Sequence, residues 1–208
     1  MSLLGLDLAT RAGWTLFTHD GTQDPPEIEC GSWSFDGRDA DEKADKLSRH
    51  LTEFLRDCRR RGRSVKASAI ERPMETVPTK TIIDKFGRKR SVLDGNPATL
   101  VMQNRMYAAA RAILLAFNAH PVSVASATWR KTVLGVGRAP RGEDSRWFKR
   151  EMQKRAASLA LRYGFDVPNH DAADSLGVAI WLAAQTGRLP VGILTGRGPS
   201  LFSQAAAE

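Results

Sequence analysis

The sequence predicts an α/β domain in which one mixed, five-stranded sheet carries helices on both faces. Three short strand-like segments open the chain, and helical and strand-like segments alternate after them. A strand meander followed by such alternation favours a single mixed sheet covered by helices. The 208 residues suffice for one core, so we predict one domain over residues 1–187 and an irregular or mobile tail over 188–208.

The predicted strands are short segments that are rich in apolar residues and bounded by turn residues. They span residues 3–9, 13–18, 27–35, 65–71 and 121–125. Residues 10–13 are predicted to form the tight connection between the first two strands.

The predicted helices show apolar residues three and four positions apart. Residues 39–61 also place acids early and arginines late, as the helix dipole favours. Asn96 and Pro97 are typical of an N-cap and a first helical residue, so a helix is predicted over 97–118. Further helices are predicted over 126–134, 144–163 and 170–184.

The segment 72–96 has weak periodicity and is strongly basic, which predicts a long exposed loop or hairpin inserted into the domain. Its clustered cations, which are candidate DNA contacts, are Lys85, Arg88, Lys89 and Arg90.

The charge of the chain points to a polyanionic partner. The formal net charge is +8 and the pI is about 9.9. A basic protein gains affinity for nucleic acid by releasing condensed counterions, so nucleic acid is the leading partner class. A basic protein without such a partner is the open alternative.

Membrane and secretory classes are disfavoured. No apolar run reaches the roughly 18–20 residues that cross a bilayer, and the N-terminus lacks a basic region followed by an apolar stretch. We therefore expect a cytoplasmic protein. Cys30 and Cys58 have no metal-type spacing and are expected to be free thiols.

Three positions carry acids in apolar surroundings. In HDAADSLGVAIWLAA, Asp171 and Asp174 lie one turn apart, and Val178 and Leu182 continue their stripe. Helix capping by Asn169 or Asp171 is an alternative explanation of these acids.

The other two acids lie on strands. In LLGLDLA, Asp7 shares a face with Gly5 and Ala9, and in VKASAIE, Glu71 shares a face with two alanines. Solvated strand faces would also explain them. Together, however, the four acids predict a convergent cluster that only cations can neutralise. Mg²⁺ suits oxygen ligands, and two such ions can cleave a phosphodiester.

The segments GLDLATRAGW, AIERP and HDAADSLGVAIW resemble, in order, the three acidic motifs of RuvC-type Holliday junction resolvases, members of the RNase H-like nuclease superfamily. TWRKTVLGVG and MQNR are similar to two further segments of that family. The resemblance covers residues 5 to about 184 and implies an RNase H-like sheet.

The resemblance implies a homodimeric, magnesium-dependent endonuclease that resolves four-way DNA junctions with two metal ions per site, for which Mn²⁺ can substitute. The implied catalytic, metal-binding acids are Asp7, Glu71, Asp171 and Asp174. His170 is a further candidate ligand, because some related nucleases use a histidine near this site. The helix over 97–118, with Met102, Met106, Tyr107 and Ile113, is long enough for a dimer face, although core burial explains its pattern equally well.

Candidate DNA contacts surround the glycines of TWRKTVLGVGRAPRG, where the backbone can approach phosphates closely. They are Arg130, Lys131, Arg138 and Arg141, with Gln103 and Arg105 of MQNR as additions. A solvated charged surface is the plainer explanation of such a run.

The chain departs from the family in one respect that concerns the substrate. The family has an aromatic residue soon after its second acid, which helps to open the junction, whereas Met74 stands here and Phe86 lies much further on. The junction-opening residue is therefore unassigned, and the long basic segment indicates altered contacts with DNA.

Other functions remain open at this point. A nuclease of the same fold could act on flaps, other branched DNA or RNA–DNA hybrids. A non-catalytic DNA-binding protein would explain the charge, but it has no use for four acids that weaken phosphate binding. A sugar-kinase or actin-like ATPase needs two domains and glycine-rich nucleotide loops, for which this chain is too short.

Overall fold

The computed structural model describes residues 1–19, 26–76, 79–93, 96–144, 146–189 and 193. The strands of this part are β1 (Ser2–Asp7), β2 (Arg11–Thr18), β3 (Glu27–Ser34), β4 (Val65–Glu71), β5 (Thr79–Ile83), β6 (Lys89–Leu93) and β7 (Pro121–Val124). Five of them form a mixed sheet in the order β3-β2-β1-β4-β7, while β5 and β6 form a separate hairpin. The predicted five-stranded α/β fold is confirmed.

The helices of the described part are α1 (Ala40–Arg60), α2 (Pro97–Ala116), α3 (Ser126–Leu134), α4 (Trp147–Tyr163) and α5 (His170–Gln185). Helices α1 and α2 pack together over one face of the sheet, and α5 crosses β1 and β2 on the other face beside α3 and α4. As predicted, the Asn96 side chain caps α2 by accepting a hydrogen bond of 2.9 Å from the Ala98 amide.

Strand alternation divides the core between the two faces. Leu4 and Leu6 are buried against α1 and α2, whereas Leu3 is buried with the residues of α5. Met102 and Met106 belong to the α1–α2 core, so these two side chains are not available as a dimer face.

The sheet has one edge that matters for the site. Strand β1 runs parallel to β4, and β4 runs parallel to β7. All three strands therefore end at one side of the sheet, which we call the carboxyl edge. Asp7 is the last residue of β1 and Glu71 the last of β4, so the parallel pairing brings both acids to this edge.

Glycines allow α5 to lie directly on the sheet. A Cβ atom at Gly13 would lie 1.8 Å from the Asp171 carbonyl oxygen, so no larger residue fits without a shift of the helix. Gly13 pairs with Asp7 on β1 and with Ser32 on β3. The predicted connection over residues 10–13 is thus wrong: β2 already begins at Arg11, because Gly13 has to stand in the sheet beneath the first turn of α5.

The basic segment 72–96 contains the β5–β6 hairpin, which agrees with the predicted alternative of a hairpin. Of the predicted tail over 188–208, only residues 188, 189 and 193 lie within the described part, so that prediction falls outside it. Cys30 and Cys58 are free thiols. None of the helices described here combines the length and apolar character that membrane crossing requires.

Candidate active site

The first two turns of α5 bring two more acids to the carboxyl edge. The Asn169 side chain accepts a hydrogen bond of 3.0 Å from the Ala172 amide and so caps the helix. Asp171 and Asp174 are both buried, although neither is the cap. Asn169 is therefore the residue that caps α5, and helix capping does not explain why Asp171 and Asp174 are acids.

The acids from β1, β4 and α5 are near enough to one another for the charge of one to raise the pKa of another. The pKa of Asp7 is raised well above its usual value, first by burial and then by Glu71 and the two acids of α5. Burial, followed by the charge of Glu71, raises the pKa of Asp174 to about 7. We call this set the acidic cluster; it consists of Asp7, Glu71, Asp171 and Asp174.

Asp171 has one carboxylate oxygen that is poorly satisfied. Its Oδ1 lies 3.2 Å from His170 Nε2. Its Oδ2 is buried and has no hydrogen-bond partner, and the nearest cationic atom, Arg11 Nε, is 3.9 Å away, beyond hydrogen-bond range. A buried acceptor without a donor is costly, which makes Oδ2 a candidate cation ligand.

The chemistry of the cluster fits a hard divalent cation, because every donor in it is a carboxylate oxygen. In the described part of the chain, no group of three or more His, Cys, Asp or Glu side chains is already arranged as a metal cage. The orphaned Asp171 Oδ2 favours a cation there. The burial and the neighbouring carboxylates that together raise the pKa of Asp7 favour one as well. His170 Nε2 faces Asp171, so His170 lies next to the acidic cluster.

Two side chains of α3, which sequence reasoning missed, hold Glu71. Trp129 Nε1 donates a hydrogen bond of 2.7 Å to Glu71 Oε2, and the Ser126 hydroxyl donates to Oε1. Both lie in or next to the TWRK segment, where only the cations had been considered. Trp129 stands next to Arg130 and Lys131 in the sequence, and that position could have drawn attention to it. Its contact with Glu71, however, depends on how β4 and α3 come together in the fold.

Cations lie beside the acidic cluster. Arg130 lowers the pKa of both Asp7 and Asp174, and Lys149, which sequence reasoning also missed, lowers that of Asp174. The Arg130 guanidinium carbon lies 5.2 Å from the Trp129 ring centre and 4.6 Å from that of Phe148. These ring contacts hold the cation at the site. The remaining predicted cations of this region, all exposed, are Lys131, Arg138 and Arg141.

Four cations of the β5–β6 hairpin, Lys85, Arg88, Lys89 and Arg90, are exposed, so we call this segment the basic hairpin. Asp84 accepts hydrogen bonds from the Phe86 and Arg88 amides and shapes the turn. Its Oδ2 also lies 3.2 Å from Arg88 Nε and 3.2 Å from Arg90 Nε. Phe86 is 68% exposed near the tip, and Lys85 Nζ and Arg88 Cζ each lie 5.1 Å from its ring centre. The hairpin therefore presents an exposed aromatic ring between cations.

Gln103 and Arg105 lie on α2, which packs against α1. The Gln103 side-chain oxygen is buried without a hydrogen-bond partner, and Arg105 forms an ion pair with Asp41 at the start of α1. Arg105 thus has a partner that links α2 to α1.

A polar groove of about 540 Å³ opens beside the cluster, at Arg11. Its lining includes Thr10 from the β1–β2 connection, Ser34 from β3 and Lys43 from α1. Arg11 therefore lies between this groove and Asp171.

No protein-family model matches the chain, and no curated protein matches it in sequence. Several solved structures are similar in fold, including the following two. Thermus thermophilus RuvC has a TM-score of 0.58 and 15% identity, over 90% of this chain and 98% of that one. T. thermophilus RuvC in complex with a Holliday junction substrate has a TM-score of 0.60 and 15% identity, over 90% and 97%. At this identity the likeness shows a shared RNase H-like fold.

Proposed function

We propose that this protein is a structure-selective DNA endonuclease that resolves four-way junctions by metal-dependent hydrolysis of phosphodiester bonds. One observation carries the proposal: acids from two parallel strands and one helix converge at the carboxyl edge of a chain whose net charge is +8. A protein that only bound DNA would gain affinity by losing these acids. The junction as substrate is supported by the sequence resemblance and by one structural neighbour, a RuvC in complex with a Holliday junction substrate.

The acidic cluster would hold divalent cations, Mg²⁺ or Mn²⁺, as two ions per site. Such ions, when bound, supply Lewis-acid stabilisation of the phosphodiester oxygens and lower the pKa of water. The chain itself orients Glu71 through Trp129 and Ser126. Arg130 and Lys149 attract the phosphate to an edge that would otherwise repel it.

Further contacts with branched DNA are proposed at two exposed basic surfaces. One follows α3 and contains Lys131, Arg138 and Arg141. The other is the basic hairpin, whose first strand, β5, begins eight residues after Glu71 in the chain. Symmetric cleavage of a four-way junction needs two sites, so we propose a homodimer.

A cleavage panel tests the proposal. A four-way junction, a flap, a linear duplex and an RNA–DNA hybrid are compared at one salt concentration with Mg²⁺, because such affinities depend strongly on salt. We expect cleavage of the junction at least about tenfold faster than that of the duplex, which corresponds to about 1.4 kcal/mol of discrimination, and no cleavage with a chelator. Equal cleavage of duplex and junction would contradict junction selectivity, and preferred cleavage of flap or hybrid would assign a different substrate to the same site.

A further inference from the structure

The acid at the end of β4 is held by uncharged donors. Glu71 Oε2 accepts the hydrogen bond of 2.7 Å from Trp129 Nε1, and Oε1 accepts that of Ser126 Oγ. An ion pair would cancel the charge of the carboxylate, whereas neutral donors fix its orientation and leave the charge in place. A carboxylate has about four acceptor positions, so two hydrogen bonds leave room for another ligand.

The topology of the sheet delivers these donors to Glu71. Glu71 pairs with Val124 of β7, and α3 begins two residues later at Ser126. The Arg72 amide donates a hydrogen bond of 2.8 Å to the Val124 carbonyl and extends this pairing beyond the acid. Ser126 and Trp129 are three residues apart on α3 and therefore face the same side.

The indole ring is itself fixed in place. Trp129 is fully buried, and a Cβ atom at Gly177 of α5 would lie 2.5 Å from its Cζ3. The ring therefore occupies space that exists only because residue 177 is glycine. The glycine of α5 thus makes room for Trp129 of α3, the side chain that holds Glu71.

We infer that Trp129, assisted by Ser126, is a positioning residue that sets the orientation of the Glu71 carboxylate for binding of a divalent cation. This inference rests on the proposed function. Packing alone does not require the N–H of Trp129, because a phenylalanine ring would also fill an apolar core. Orientation of Glu71 explains why this buried ring carries a hydrogen-bond donor.

Mn²⁺ binding to the DNA-free protein, measured by calorimetry, tests the inference. Trp129→Phe keeps an aromatic ring but removes the N–H, and we expect Mn²⁺ affinity to fall about 10–100-fold, as for other residues that orient metal ligands. In cleavage assays, the half-saturating Mn²⁺ concentration should rise in parallel, while the rate at saturating metal changes less. Ser126→Ala, which leaves the indole packing intact, should lower the affinity in the same direction.

The control is Trp33→Phe, which alters an aromatic cluster on the opposite face of the sheet and should keep wild-type Mn²⁺ affinity. Wild-type affinity in both Trp129→Phe and Ser126→Ala would overturn the inference while the proposed function stands. If Glu71→Gln also binds Mn²⁺ and cleaves as the wild type does, the proposed metal site fails together with the inference.

Discussion

Asp7→Asn is expected to lower the rate of junction cleavage by about 10³-fold or more, because loss of a metal ligand removes several kcal/mol of transition-state stabilisation. Junction affinity should stay the same or increase. Asparagine keeps the shape of the side chain but removes one of the negative charges that repel phosphate. Asp7 stands at the centre of this repulsion, since the other members of the acidic cluster all raise its pKa. Single-turnover cleavage and equilibrium binding, measured on the same junction, separate the two effects.

Asp45→Asn is the matched control, because Asp45 is exposed on α1 and the substitution makes the same change in charge. It should cleave and bind as the wild type does. A wild-type cleavage rate in Asp7→Asn would show that the acidic cluster does not carry the reaction. A joint loss of cleavage and binding would contradict the claim that Asp7 acts on chemistry alone.

Removal of the charge of the basic hairpin is expected to lower junction affinity by about 100-fold at moderate salt. The salt slope should fall by about 1 for each phosphate that the hairpin no longer neutralises. The variant replaces four cations by glutamine: Lys85, Arg88, Lys89 and Arg90. These side chains are exposed on a hairpin that does not pair with the main sheet, so the change should leave the core intact. Titrations of a labelled junction at several salt concentrations measure both quantities.

The matched control removes four other exposed cations and lowers the net charge by the same amount. These residues, at the last turns of α1 and the start of β4, are Arg56, Arg59, Arg60 and Lys66. Because β4 ends at the carboxyl edge, they lie at the opposite end of the sheet from the acidic cluster. If both variants lose affinity equally, overall charge rather than the hairpin governs binding. An unchanged affinity in the hairpin variant would remove that surface from the proposed interface.

Strand and helix periodicity sufficed to predict the fold and the acids. Alternation along β1 and β4 placed Asp7 and Glu71 on faces lined by small residues, and those faces are the ones on which α5 packs. The helical stripe of Asp171 and Asp174 likewise predicted that both acids point inward, and both are buried. These features could be predicted because each depends only on the spacing of apolar residues along one strand or helix and on where that strand or helix ends.

Contacts between distant elements could not be predicted in this way. The hydrogen bond from Trp129 to Glu71 depends on the pairing of β4 with β7, which no single segment encodes. The early start of β2 has the same origin, since Gly13 belongs in the sheet only because α5 approaches it there. Lys149 was missed because its proximity to Asp174 results from the packing of α4 against α5.

Diffraction from crystals grown with Mn²⁺, using its anomalous signal, tests most directly whether the acidic cluster is a metal centre. We expect manganese at the carboxyl edge, within bonding distance of Asp7 and of at least one acid from β4 or α5. Asp171 Oδ2, which has no hydrogen-bond partner, is an expected ligand. Side chains that turn towards separate surfaces, with no manganese between them at saturating concentration, would contradict the account.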